Sequence, residues 1–152
     1  MIQLQKKAPT FSLPDQDGIT HTLEQHLGKK VLLYFYPKDD TPGCTTEACN
    51  FRDGYKDFIK MGFVILGVSA DSVKSHKKFA DKFTLPFPLL SDESHTVCED
   101  YGVWGLKKFM GREYMGITRS SFLIDEKGNL EKIYENVKAG EHANEVSGDI
   151  KK

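Results

Sequence analysis

Two apolar runs, KKVLLYFYP at 29–37 and FVILGVSAD at 63–71, limit what this chain can fold into more than any other feature of it. The longest unbroken apolar stretch, Val31 to Tyr36, falls far short of the ~20 residues a membrane-spanning helix needs. Consecutive apolar and aromatic residues closed by Pro37 are the pattern of a strand buried on both faces, in the middle of a sheet. Between the two runs, Cys44, Ala48, Phe51, Tyr55, Phe58 and Ile59 recur at helical spacing. Gly62 then supplies a C-terminal stop. Strand, helix and strand in this order predict a parallel pair joined by a right-handed crossover.

The flanking segments extend that unit. FSLPDQDGITHTL predicts a hairpin about the Asp17-Gly18 turn, and no helix is evident before Gly28. SVKSHKKFADKF predicts a polar helix with one apolar edge, and LPFPLLSD, broken by Pro86 and Pro88, a short strand. ESHTVCEDYGVW predicts a short helix, and SSFLIDEKGNLEKIYENV two strands about Lys127-Gly128. EHANEVSGDIKK predicts a last helix, short or frayed because it carries few apolar residues. The expectation is an α/β fold of the thioredoxin-like kind: a mixed central sheet, helices on both faces and an N-terminal β-hairpin. The 152 residues contain no repeat or linker, so residues 1–152 are expected to form one domain.

The 21 basic residues nearly balance the 22 acidic ones, for a net charge of -1. No strong field draws nucleic acid or an anionic membrane, and neither is expected as a partner. MIQLQKKAPTF at the N-terminus has no apolar core of a secretory signal, so a cytoplasmic location is expected. Three cysteines do not make a disulfide scaffold, and each needs its own explanation.

Cys44 follows directly on the end of a buried strand, where the ligands of open α/β sheets gather. With Thr41 as N-cap and Pro42 at the first helical position, Cys44 is third, and its sulfur faces free backbone N–H groups. Those groups and the positive end of the helix favour thiolate over thiol, and thiolate is the reactive form. Position alone also permits a duller role, that of a small apolar residue tucked under the helix.

Pro37, three residues, Thr41, two residues and Cys44 match the active-site pattern of the peroxiredoxins, and DTPGCTTEACNFRD resembles their PrxQ, or bacterioferritin comigratory protein, subgroup. The likeness runs on through GVSADS, LPFPLLSD, YGVWGLKKFMG, GITRSSFLID and VKAGEHANEV. It implies that Cys44 is peroxidatic, that Thr41 hydrogen-bonds peroxide and sulfur, and that Pro37 shields the thiolate from water. It also implies that Arg119, carried on a distant strand, stabilises the thiolate and the charge on the parting oxygens. Cys49 has the spacing of the resolving cysteine, so Cys44 sulfenic acid would be captured as an intrachain disulfide. The resemblance further implies a hydroperoxide substrate, recycling by thioredoxin or a similar dithiol, no metal, haem or flavin, and a monomer. An acid at position 47 orients the Arg in many members, although a solvated Glu47 is nearly as good a reading. The chain departs from the family near Tyr134, where a Trp is common, and in its polar tail.

Cys98, beside Val97 and Tyr101, is expected to pack in the core, with later-helix resolution as its alternative role. A dithiol reductase needs Cys-x-x-Cys, whereas four residues separate Cys44 from Cys49. A copper chaperone could draw on His76, His95 or His142, but it leaves Thr41, Pro37 and Arg119 without a purpose and sets a cation beside Arg119.

Overall fold

The computed structural model describes residues 2–151. The two apolar runs form β3 (Lys30–Phe35) and β4 (Phe63–Ser69), parallel neighbours in register from Lys30↔Phe63 to Phe35↔Val68. β5 (Leu89–Ser91) extends the sheet in parallel beyond β4. β8 (Ser120–Ile124) lies antiparallel on the other side of β3, and β9 (Leu130–Tyr134) antiparallel beyond it. The result is a mixed five-stranded sheet of order β5-β4-β3-β8-β9 with β3 at its centre. Asp125 Oδ1 accepts from the N–H groups of Lys127 and Asn129 and forms the β8–β9 turn, while Gly128 supplies φ +87°.

Alternation along β3 divides the core into two layers. Val31, Leu33 and Phe35 face one side with Leu66, Val68, Phe122 and Ile124. Leu32, Tyr34 and Tyr36 face the other with Ile65, Leu89 and Leu123. Onto the second layer pack α1 (Pro42–Asp53), α2 (Tyr55–Lys60), α3 (Val73–Phe83) and α5 (His142–Ile150), through Cys44, Ala48, Phe51, Phe58, Phe79 and Val146. The short α4 (Thr96–Asp100) covers the first layer with Val97 and Cys98. Helices on both faces follow from a sheet whose central strands are apolar on both sides.

The N-terminal hairpin, β1 (Ser12–Pro14) with β2 (Thr20–Thr22), turns where expected, its loop held by Asp15 Oδ1 accepting from Asp17 and Ile19. A 3-10 turn at Glu24–His26 precedes Gly28, where no helix was expected. The helix read as one from Cys44 to Ile59 is two, broken at Gly54, whose backbone leaves the helical region at φ -94°, ψ 3°. The apolar stripe runs across the break because Phe51 and Phe58 pack on each other, with ring centroids 5.9 Å apart. The last helix is not frayed at its start: His142, Ala143 and Val146 are buried, and His142 Nε2 bonds Ser121 Oγ at 2.6 Å. A second hairpin, β6 (Trp104–Phe109) with β7 (Arg112–Ile117), was not anticipated from the sequence.

Candidate active site

The loop from β3 to α1 carries Pro37, half-buried at its start, and ends at Thr41, the N-cap residue with φ -102° and ψ 155°. Pro42 is the first helical residue, suited to a position where no N–H is needed. Thr41 caps by position only. Its hydroxyl donates to the Lys38 carbonyl at 2.9 Å rather than bonding a helical N–H. Cys44 sits third in the helix, 1% exposed, within the layer that contains Tyr34, Ala48 and Phe51.

Sheet register brings Arg119 to this thiol from 75 residues away. Ser120 pairs with Phe35, so the residue before it emerges beside the end of β3, where the loop to Cys44 departs. Arg119 therefore belongs to the two-residue connection between β7 and β8 rather than to a strand, and its carbonyl accepts from Val137 N–H at 2.9 Å. Its Nη2 donates to Cys44 Sγ at 3.3 Å, and its Nη1 to Glu47 Oε1 at 2.7 Å. Burial works against the guanidinium's charge, but Glu47 and Cys44 outweigh it and hold Arg119 above its usual pKa. Gly43 makes room for this fork, since a Cβ there would lie 3.1 Å from Nη2.

Glu47 is not the solvated alternative. Its side chain is wholly buried, and desolvation raises its pKa to about 7 even though Arg119 pulls it down. In the same core layer as Cys44, the buried hydroxyl of Tyr34 is held far above its usual pKa, first by desolvation and then by the charges of Glu47 and Cys44. Neither Tyr34 Oη nor Glu47 Oε2 has a hydrogen-bond partner among the described residues. From β6, Lys107 donates to the Ile117 carbonyl at 2.8 Å. Its pKa is lowered by burial and by Arg119, with Cys44 acting in the opposite sense, so this cation is within electrostatic reach of the site.

A polar network anchors the loop from below. Asp39 accepts from Tyr36 Oη at 2.6 Å and Ser75 Oγ at 2.7 Å, and lies 2.7 Å from His76 Nδ1. The Asp39 N–H donates to Asp71 Oδ2 at 2.8 Å, and the same oxygen accepts from Ser69 Oγ at 2.7 Å. Asp39, Asp71 and His76 offer ligand atoms within 4.8 Å of one another. These atoms are already spent on protein bonds, so the cluster reads as a brace that ties the β3–α1 loop to the end of β4 and the start of α3.

A buried thiol at a helix start is here bonded to a guanidinium that a buried carboxyl group holds in place, the placement of a cation that chemistry at a sulfur calls for. The sequence matches the AhpC/TSA family over residues 4–133. The chain is 52% identical over 149 residues to a putative peroxiredoxin bcp of Coxiella burnetii, covering 98% of this chain and 99% of that one. It is 49% identical over 150 residues to peroxiredoxin Bcp of Bacillus subtilis, covering 99% and 96%. A crystal structure of a cysteine-to-serine mutant of Xylella fastidiosa PrxQ superposes with a TM-score of 0.94 at 33% identity, covering 99% of this chain and 96% of that one. The bacterioferritin comigratory protein of Xanthomonas campestris, studied for its alkyl peroxide reduction activity, superposes with a TM-score of 0.88 at 40% identity, covering 93% and 90%. The chain belongs to the peroxiredoxins.

Within this peroxiredoxin the fold brings Cys44, Glu47 and Arg119 together, with Thr41 and Pro37 on the loop above. It does not bring Cys49 to Cys44. Both thiols are free and lie on one helix, Cys49 half-buried. Five residues of intact helix separate Cα atoms by roughly 8.6 Å, beyond the ~7 Å that a disulfide tolerates. Cys98 lies in the opposite core layer, 0% exposed. Burial, and then its contact with Asp92, pushes its thiol far above the usual range, which favours packing over reactivity at this position. His76 is tied to Asp39, His95 stacks on Trp104 with ring centroids 4.2 Å apart, and His142 bonds Ser121 and Glu145. None of the three completes a thiolate metal site of the kind a copper chaperone needs. No helix among the described residues is long and apolar enough to cross a membrane.

Proposed function

We propose that this peroxiredoxin reduces hydrogen peroxide and alkyl hydroperoxides with Cys44 as the peroxidatic nucleophile, Cys49 as the resolving thiol, and thioredoxin or a similar dithiol protein as reductant. The observation that carries the reading is the fork of Arg119, with one nitrogen 3.3 Å from Cys44 Sγ and the other fixed 2.7 Å from buried Glu47. The thiolate attacks the terminal peroxide oxygen in line, the O–O bond breaks, and the guanidinium faces the charge that moves onto the leaving oxygen. Thr41 has its proton committed to Lys38, which leaves its hydroxyl oxygen to accept the peroxide O–H. Pro37, at the head of the same loop, limits water at the sulfur. Alkyl peroxide reduction by the Xanthomonas campestris relative supports organic hydroperoxides as substrates.

Cys44 sulfenic acid then condenses with Cys49 and releases water. The helical distance requires the first turns of α1 to unwind before the bond closes. Because the resolving thiol is in the same chain, the catalytic cycle needs no second subunit. The whole chain is read as one domain, acting as a cytoplasmic monomer without nucleic acid or membrane as partner. The test is peroxide-dependent turnover by purified reduced protein with thioredoxin and its reductase. Cys44→Ser should have none. Cys49→Ser should consume one equivalent of peroxide and then stall, and sustained turnover in either variant contradicts the assignment.

A further inference from the structure

Orienting Arg119 would need a carboxylate at its edge, yet Glu47 is wholly buried one turn from Cys44, on the same helical face. Both side chains are acids, and both lean on one guanidinium, Nη1 to Oε1 at 2.7 Å and Nη2 to Sγ at 3.3 Å. The second carboxyl oxygen has no partner among the described residues, nor has the buried hydroxyl of Tyr34 on β3, whose pKa the charges of Glu47 and Cys44 help to raise. Titratable groups among the described residues that interact electrostatically with this cluster include Lys107 of β6, half-exposed and bonded to the Ile117 carbonyl, and His142 of α5, which burial pushes toward its neutral form. Two buried acids beside one fixed cation resist ionising together, as paired carboxylates do when they share a proton.

We propose that Cys44 and Glu47 share a single proton across Arg119, so that Glu47 is the carboxylic acid while Cys44 is thiolate and becomes carboxylate once Cys44 is oxidised. The inference rests on Cys44 being the peroxidatic thiol. Activation moves a proton and nothing else: Cys44–SH with Glu47–COO⁻ becomes Cys44–S⁻ with Glu47–COOH. In the attack on ROOH, the S–O bond forms and the O–O bond breaks. Sulfur is oxidised by two electrons and the peroxide is reduced by two. The products are Cys44–SOH and RO⁻; the alkoxide takes up one proton to become ROH, and Glu47 gives one up. Counted over Cys44, Glu47 and Arg119, one negative charge stands against one positive charge in every state. The buried cluster is thus never left with an uncompensated ion, which is where the energetic penalty of burial would fall. The rise of the Glu47 pKa to about 7, caused by desolvation, agrees with a carboxyl ready to hold that proton. In this scheme Glu47 positions Arg119 and stores the proton that the cluster exchanges.

The test is the infrared difference spectrum of the full chain at neutral pH, reduced minus peroxide-oxidised, alongside the ultraviolet absorbance of the thiolate. The reduced protein should show thiolate absorbance together with the C=O stretch of a buried carboxylic acid. That band should be replaced by carboxylate bands on oxidation and be missing in Glu47→Gln. Proton uptake provides a check on the native chain that does not depend on a variant folding. Starting from thiolate, oxidation should take up no net proton from an indicator dye in the native protein, and one proton per peroxide in Glu47→Gln. Thiolate absorbance with no carboxylic acid band, or uptake of one proton per peroxide by the native chain, overturns the proposal. A Cys44→Ser protein that still turned over peroxide would instead overturn the reading beneath it, and the two failures are distinguishable.

Discussion

Cys44 and Cys98 occupy the same place in two different helices. Each is the third residue of its helix, after Pro42-Gly43 in α1 and Thr96-Val97 in α4, and each is buried, at 1% and 0% exposure. A helix start therefore does not by itself tell the two thiols apart, because α4 offers Cys98 the same position. What separates them is the charge brought by the rest of the fold. Arg119 approaches Cys44 from the β7–β8 connection, whereas Asp92 approaches Cys98, one oxygen accepting from its backbone N–H at 2.8 Å. A fixed cation favours the sulfur anion, and a carboxylate in a dry core opposes it. The two layers of one sheet thus hold, at matching positions, a thiol set against a cation and a thiol set against a carboxylate.

The largest effects should come from exchanging the thiols' fates. Cys44→Ser is expected to abolish peroxide turnover, whereas Cys98→Ser keeps most of it; a steady-state assay of both variants decides, and the reverse pattern breaks the comparison. Removing the cation comes next. Arg119→Met should slow peroxide attack in stopped-flow measurements by about tenfold for each 1.4 kcal/mol of charge stabilisation lost. Arg119→Lys should recover only part, since one ammonium cannot bond sulfur and carboxylate with a planar fork.

A stability difference between native protein and Glu47→Gln should follow pH. The folded-state pKa of Glu47, about 7, lies above its ordinary 4.5, so folding favours the protonated carboxyl. That contribution is present below pH 4.5 and lost as the pH rises through 7. Urea unfolding should show Glu47→Gln gaining about 3 kcal/mol on the native chain between pH 4 and pH 8. A difference independent of pH would mean that the carboxyl is not held in this way. The smallest effect is steric. Gly43→Ala sets a methyl 3.1 Å from Arg119 Nη2, and should slow peroxide attack severalfold by shifting the fork while leaving Cys98 untouched.

Much of this was legible in the sequence, because strong periodicity and turn chemistry express short-range physics. Both central strands, the Asp17-Gly18 and Lys127-Gly128 turns and the placement of Cys44 three residues after Thr41 are of that kind. The β6–β7 hairpin was not legible: its turn is Met110-Gly111, with φ 51° and 80°. Methionine rarely takes that conformation, so no Asn-Gly signal marks it. Its strands also leave Leu106, Phe109 and Met115 exposed, which hides the alternation of a half-buried strand. The break at Gly54 was masked by an apolar stripe that continues across it. Arg119 was reached through family resemblance, because only the pairing of Ser120 with Phe35 places it at the thiol. The burial of Glu47 had no local signal at all, since its partner comes from 72 residues away.

The central claim is that Arg119 and Glu47, rather than helix position, select Cys44 over Cys98. The most direct measurement treats reduced Cys49→Ser protein with one equivalent of hydrogen peroxide, traps sulfenic acid with a cyclic dione and locates the adduct by mass spectrometry. The adduct should sit on Cys44 alone, and Arg119→Met in the same background should lose most of it at short times. An adduct on Cys98, or an equal yield on Cys44 with and without Arg119, would contradict the account.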